Sequence, residues 1–191
     1  MNYLAHAFLA GDSPQALVGA LLGDFVKGAA KNNYAPLIQR NIELHRRIDA
    51  YTDAHPIVRA AKPLIASERR RFAGILLDIF YDHYLAKHWA RFSPVALPTF
   101  TQQVYAALHA HHALLPERLQ KMLPYMQSED WLASYAQIAW IEVTLARVAR
   151  RLRPGNALAS GSAELQQHYT RFETDFLTFF PDLILLVETE K

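Results

Sequence analysis

Apolar residues recur along this chain at three- and four-residue intervals, the spacing of one buried face on a helix, and the pattern predicts helices almost throughout. Ser13-Pro14 offers a capping hydroxyl and a first-turn proline ahead of "QALVGALLGD", and His55-Pro56 opens "IVRAAKPLIA" in the same way. Ser128, followed by Glu129 and Asp130, predicts the start of a helix through "WLASYAQIAWIEVTLARVARRLR", which Pro154-Gly155 stops. Ser162 opens a last long helix, "AELQQHYTRFETDFLTFF", and Pro181 is expected to break it. Loops are expected near 28–34, 92–100 and 154–161. Short alternating runs and Asn-Gly or Asp-Gly turns, the marks of hairpins, are scarce or missing. The expected fold is therefore all-α: a single-domain helical bundle of about seven to nine helices over residues 1–191.

Composition narrows the chemistry. The chain has 191 residues, half of them apolar, enough for one domain with a core. No run of about 18 uncharged apolar residues occurs, and no basic leader precedes an apolar stretch, so the sequence predicts neither a membrane span nor a signal peptide, and a cytoplasmic protein. "FLTFFPDLILLVETE" is strongly apolar, but Pro181 and Asp182 interrupt it, which points to core packing or an oligomer contact. With no cysteine, a metal site has to be built from histidine and carboxylate. A net charge of +2 does not predict nucleic-acid binding. The arginines are nonetheless clustered, in "SERRRF" at 67–72 and "ARVARRLR" at 146–153, leaving room for an acidic partner beside the plainer reading as solvated helix surface.

Three stretches concentrate chemistry. In "ELHRRIDAYTDAHP", Leu44, Ile48 and Tyr51 form the buried stripe of a helix. His45 falls beside that stripe, and Asp49 lies four residues on, about 40° further round, while Asp53 turns toward solvent. The plain reading is a surface His-Asp pair at i,i+4. "RRFAGILLDIFYDHYLAKHW" is apolar on nearly every side, so its helix is central, yet it carries Asp78, Asp82 and His83. Buried carboxylates need cations or donors; Arg71 is the expected partner of Asp78, whereas Asp82-His83 has no obvious cation on its own helix. In "ALVGALLGDFVKG" a helix ends at Gly23, and Asp24 can project from its mouth. His6, in "YLAHAFLA", reads alone as a core histidine, and Asp24 alone as a capping acid. "LHAHHALL" places His109 and His112 on one face without nearby acids, which reads as solvated surface.

In this order, "MNYLAHAFLA", "LVGALLGDFVKG", "IELHRRIDAYTDAHP", "RRFAGILLDIFYDHYLAKHW" and "FSPVALPTF" resemble the acyl carrier protein phosphodiesterases, also called acyl carrier protein hydrolases. The resemblance is dense in the N-terminal half and looser beyond it. It implies an HD-domain-like all-helical enzyme that uses a divalent cation, typically manganese with magnesium or another divalent ion as alternatives. The implied reaction removes the 4′-phosphopantetheine arm from holo acyl carrier protein, an acidic substrate. Carried over by position, the metal ligands fall on Asp24, His45, Asp49 and Asp82. Catalytic roles fall on Asp24, His83 and His6, either histidine being suited to protonate the departing serine oxygen. The adjacent pair here is Asp82-His83, the reverse of the His-Asp dyad of HD enzymes, and Asp78 is a substitute ligand. Arg46 and Arg47 stand beside the ligands as phosphate or carrier-protein contacts, and Arg69, Arg70, Arg150 and Arg151 represent the basic docking face.

Two other readings compete. An HD-like phosphohydrolase of nucleotides or other small phosphoesters would use the same constellation without needing the arginine clusters. A non-enzymatic helical interaction module would pair its buried acids with Arg71, Arg46 or Arg47.

Overall fold

The computed structural model describes residues 1–152 and 155–189; Arg153 and Pro154, which the sequence reading placed in the basic cluster and at a helix stop, lie outside them. Described residues form twelve α-helices and short 3₁₀ turns with no strand, as the periodicity predicts, though the helices are shorter and more numerous than expected. Two compact units are formed, each from non-contiguous segments of chain.

One unit comprises Tyr3–Asp49 and His88–Ser134. Its helices are α1 (Tyr3–Ala10), α2 (Pro14–Leu22), most of α3 (Pro36–Ala54), α6 (Trp89–Phe92), α7 (Leu97–Ala110), α8 (Glu117–Ser128) and α9 (Trp131–Ser134). Helix α2 is buried along most of its length and packs on α1 and α7. Proline opens it, with Ser13 extended before it as expected, but the serine hydroxyl makes no capping bond. Gly19 is where α2 meets α3: a Cβ there would lie 2.6 Å from the Ile38 carbonyl oxygen and 2.7 Å from Asn41 Cβ. Only glycine lets the two backbones approach so closely.

The helix expected from Ser128 starts later and is interrupted. Ser128 ends α8, its hydroxyl donating to the Tyr125 carbonyl at 3.3 Å, and the cap of α9 is Asp130. That carboxylate accepts from the Ala133 N–H at 3.3 Å, Thr101 Oγ1 at 3.0 Å and the Tyr105 hydroxyl at 3.1 Å. A long-range hydroxyl pair thus overrides the local Ser-Glu-Asp signal.

The other unit comprises 1–2, 50–87 and 135–191, with α4 (Pro56–Ala61), α5 (Ala73–Lys87), α10 (Ile138–Ala149), α11 (Ser162–Gln167) and α12 (Tyr169–Thr189). Helix α5 is buried on nearly every side, as its composition requires. Against it α12 supplies an aromatic row: Phe172 lies 5.6 Å from Phe80, and Phe176 and Phe179 lie 5.9 and 5.8 Å from Tyr81. Pro181 was expected to end that helix and does not; α12 runs through it to Thr189. A mid-helix proline costs about 3 kcal/mol, and burial of Phe179, Phe180, Leu183 and Val187 on both sides of it offsets that cost. No helix among the described residues is long and apolar enough to cross a membrane.

Replacing Gly19 by alanine is expected to destabilise the fold by about 1–3 kcal/mol, measured by urea or thermal unfolding, because the colliding atom is backbone and cannot swing away. Unchanged stability would mean that the helices part without cost.

Candidate metal centre

Three elements of the first unit bring four of the predicted residues together. Helix α1 contributes His6, the turn after α2 contributes Asp24, and α3 contributes His45 and Asp49 one turn apart. The two imidazoles stack face to face, centroids 3.5 Å apart and planes 9° from parallel. His6 Nε2 lies 3.1 Å from Asp49 Oδ1, and His45 Nε2 lies 3.3 Å from Asp49 Oδ2 and 3.5 Å from Asp24 Oδ1. Asp49 therefore gives one oxygen to each ring. The histidine side chains are 1% and 2% exposed, the aspartates 42% and 49%, so the rings form a buried floor and the carboxylates an open rim.

Two local features fix this geometry. His45 Nδ1–H donates to the Ala20 carbonyl at 2.7 Å, in the last turn of α2, where helix carbonyls lack intrahelical partners. The ring can come so close because residue 23 is glycine: a Cβ there would sit 2.2 Å from His45 Cγ. Gly23 keeps right-handed helical dihedrals, so its place in the site comes from this close approach rather than from the left-handed helix stop the sequence suggested. The Asp24 turn is held from α3 as well, by Arg46, whose guanidinium donates to the Val26 carbonyl at 2.8 Å.

Because a carbonyl can only accept, Nδ1 of His45 carries a proton, and Nε2 is left facing two carboxylates. Burial works against charge on this ring, yet the hydrogen bonds and charges of Asp24 and Asp49 outweigh it and raise the pKa to about 9. Burial pushes His6 the other way, to about 4, and the neighbouring His45 adds to it against the opposing bond from Asp49. Burial would raise both aspartates, but the histidines prevail and hold each below the usual carboxylate range. One donor atom each from His6, His45 and Asp49 falls within a common 4.8 Å, a grouping suited to a metal ion. An ion bonded at about 2.1 Å sets neighbouring donors about 3 Å apart, close to the separations here, and two imidazoles with carboxylate oxygens suit a first-row divalent ion.

The remaining candidates stand as follows. Asp82 and His83 belong to the other unit. Asp82 is fully buried and accepts the Asn2 N–H at 3.3 Å; His83 is bonded at Nδ1 to the Tyr135 carbonyl at 2.7 Å and at Nε2 to the Tyr169 hydroxyl at 2.8 Å. Asp78 takes the amino-terminal ammonium at 2.7 Å, and Arg71, its expected partner, lies over the Phe72 ring. Arg69 is largely buried in a 2.6 Å pair with Glu164, Arg70 donates to the Ile65 and Pro63 carbonyls, and Arg150 and Arg151 are exposed. Arg47 is exposed beside the centre. Asp53 pairs with Lys62 at 2.8 Å at the surface, and His109 meets Gln127 at 2.6 Å. Sequence reasoning missed the Ala20 carbonyl and Arg118, whose guanidinium lies 5.7 Å from the centroid of the Phe25 ring, next to Asp24. Nothing local in the sequence signals either.

Residues 1–183 match the family described as acyl carrier protein phosphodiesterase. Among curated proteins, the acyl carrier protein phosphodiesterase of Serratia proteamaculans is 40% identical over 96% of both chains. That of Pectobacterium atrosepticum is 39% identical over the whole of both, and one from Escherichia coli is 37% identical over 96% of both. No solved structure matches the chain.

His45, with a folded pKa of about 9 against 6.5 unfolded, contributes stability that is complete below about pH 6.5 and lost as pH rises through 9. The metal-free protein is therefore expected to lose on the order of 3 kcal/mol of stability over that window, read as a falling Tm, and His45→Gln to flatten the slope. A flat profile for the unsubstituted protein would refute the assignment.

Proposed function

The chain belongs to the acyl carrier protein phosphodiesterase family, and on that footing we propose that it hydrolyses the phosphodiester joining the 4′-phosphopantetheine arm to a serine of holo acyl carrier protein. The reaction consumes one water: its oxygen joins phosphorus, the bond from phosphorus to the serine oxygen breaks, and the serine recovers a proton. Apo carrier protein and free 4′-phosphopantetheine are the products. The observation that carries this reading is the cluster of His6, His45, Asp49 and Asp24, with a buried imidazole floor and an open carboxylate rim.

His6 Nε2, His45 Nε2 and the Asp49 carboxylate would hold a divalent ion, with Asp24 closing the set; the donor types favour manganese or a similar first-row ion. When bound, such an ion screens phosphate charge and makes water a better nucleophile near neutrality. The protein's part is placement. The Ala20 carbonyl fixes the tautomer of His45 and aims Nε2 into the site, the second-coordination role that raises ligand basicity. Burial keeps His6 neutral near pH 7; its Nε2–H donates to Asp49 here, and with the proton moved to Nδ1 the same nitrogen would offer an ion its lone pair. Asp24, half exposed and ionised, stands where a carboxylate can orient the attacking water and accept its proton.

His83 and Asp82 take no part at the ion in this reading. With Nδ1–H given to the Tyr135 carbonyl, His83 Nε2 accepts from the Tyr169 hydroxyl and ties α5 to α12. The half-exposed carboxylates of Asp24 and Asp49 support this reading over a purely structural module, whose acids would be buried against their partners.

Incubation with manganese is expected to strip the arm from holo acyl carrier protein, seen as a mass loss of the carrier, and chelation is expected to stop the reaction until the ion is returned. Asp49→Asn and Asp24→Asn should each lower the rate by more than roughly 100-fold, the upper range for changes in supporting groups alone, with the helical fold kept and a loss of Tm no larger than that of His45→Gln. Turnover of nucleotides with an unaltered carrier mass would favour the small-phosphoester reading instead.

A further inference from the structure

Asp24, Phe25 and Val26 follow one another at the mouth of the centre, and two arginines from distant parts of the chain seize the last two. Arg46 donates to the Val26 carbonyl at 2.8 Å, which leaves it a structural tie. Arg118, from α8, lies over the face of the Phe25 ring at 5.7 Å from its centroid and is exposed. A guanidinium held near an aromatic face by a cation–π contact keeps N–H groups free for a carboxylate.

The surroundings share its sign. From 24 to 47 the chain carries five bases, Lys27, Lys31, Arg40, Arg46 and Arg47, against two acids, Asp24 and Glu43. Lys31 is paired with Glu43, which neutralises the acid lying between Arg40 and Arg47. Those two arginines, seven residues apart, share one face of α3, and both are exposed, as is Lys27. Exposed bases of the same unit thus flank the site residues along the chain, a positively charged collar separate in the sequence from the clusters at 67–72 and 146–153.

We propose that this collar, anchored by Arg118 on Phe25 with Lys27, Arg40 and Arg47 around it, is the surface that docks the acidic face of the carrier protein. This rests on the reading given under Proposed function. Arg118 is exposed and touches Phe25, the neighbour of Asp24, rather than the buried histidines, so it is suited to meet protein carboxylates rather than the phosphate under attack. Such a contact draws the substrate in by charge and orients it by the guanidinium plane.

Binding of fluorescently labelled holo and apo acyl carrier protein, followed by anisotropy, tests this without requiring turnover. Arg118→Glu is expected to weaken both by roughly tenfold or more at low salt, with the difference shrinking at about 0.5 M salt. Steady-state kinetics should show KM rising by a similar factor and kcat moving far less, and Arg118→Lys, which keeps the charge without the planar guanidinium, should fall between. Equal affinity of Arg118→Glu and the unsubstituted protein overturns the proposal. A loss confined to the holo form also overturns it, by assigning Arg118 to the arm. If the unsubstituted protein binds the carrier through Arg118 but leaves the arm in place, the docking surface stands and the proposed reaction falls.

Discussion

The hydrogen bond from His45 Nδ1–H to the Ala20 carbonyl decides what the rest of the centre has to be. Since the carbonyl cannot donate, the proton on Nδ1 is fixed, and Nε2 must present either a bare lone pair or a second proton to Asp24 and Asp49. A bare lone pair opposite two carboxylate oxygens is untenable in a buried site. Something positive has to lie there: a proton in the metal-free protein, a cation in the loaded one. The elevated pKa of His45 and the suitability of the cluster for a divalent ion are therefore one electrostatic fact in two states. His6, stacked on the same ring, is kept neutral because burial and a charged neighbour both oppose a second positive charge at 3.5 Å.

That bond exists only because two glycines let α3 lie against α2. Gly19 admits the Ile38 backbone and Gly23 admits the His45 ring, four residues further along α2 and so close to the same face. The packing contact and the chemical one are formed by the same helix pair, which places the centre on rigid elements rather than on a loop. The Asp24 turn, the least regular part of the site, is secured from outside by Arg46 at Val26 and by Arg118 at Phe25. A stack of imidazoles and carboxylates contributes little to stability for what its desolvation costs. Its presence on such a precisely packed floor is an argument for chemistry.

Helix formation was legible in the sequence because it follows from local periodicity, and so was the depth of α5, apolar on every side. The errors arose where distant contacts overrule local signals. Pro181 sits inside α12 because aromatic burial flanks it, and Asp130 displaces Ser128 as a cap because Thr101 and Tyr105 reach it from α7. At the centre, His45 and Asp49 could be paired by helical spacing, and Asp24 could be read as projecting from a helix mouth. The stacking of His6 on His45 had no local trace. Gly23 does end α2 as the sequence predicts, but that its missing side chain also admits the His45 ring is invisible until the chain is folded. Arg71 and Asp78 share a stripe, yet the ammonium of Met1 reaches that carboxylate, a contact no helical wheel contains.

Under the proposed reaction, charge at the centre would have to reverse sign before a phosphodiester could enter. Asp24 and Asp49 form a negative rim, which repels both a phosphate and an acidic protein. In that reading a cation held by the rim and the imidazoles would cancel the repulsion at contact distance, where solvent ions hardly intervene, whereas exposed bases act over about a Debye length and are readily screened. The two sources of attraction therefore work at different ranges. As proposed, the collar would raise the rate of encounter, and the buried cluster would set what happens once the phosphate is seated. A chain that is nearly neutral overall can in this way offer positive charge at one opening, because Glu43 is paired with Lys31 and the rim carboxylates of Asp24 and Asp49 would be neutralised by the ion they hold.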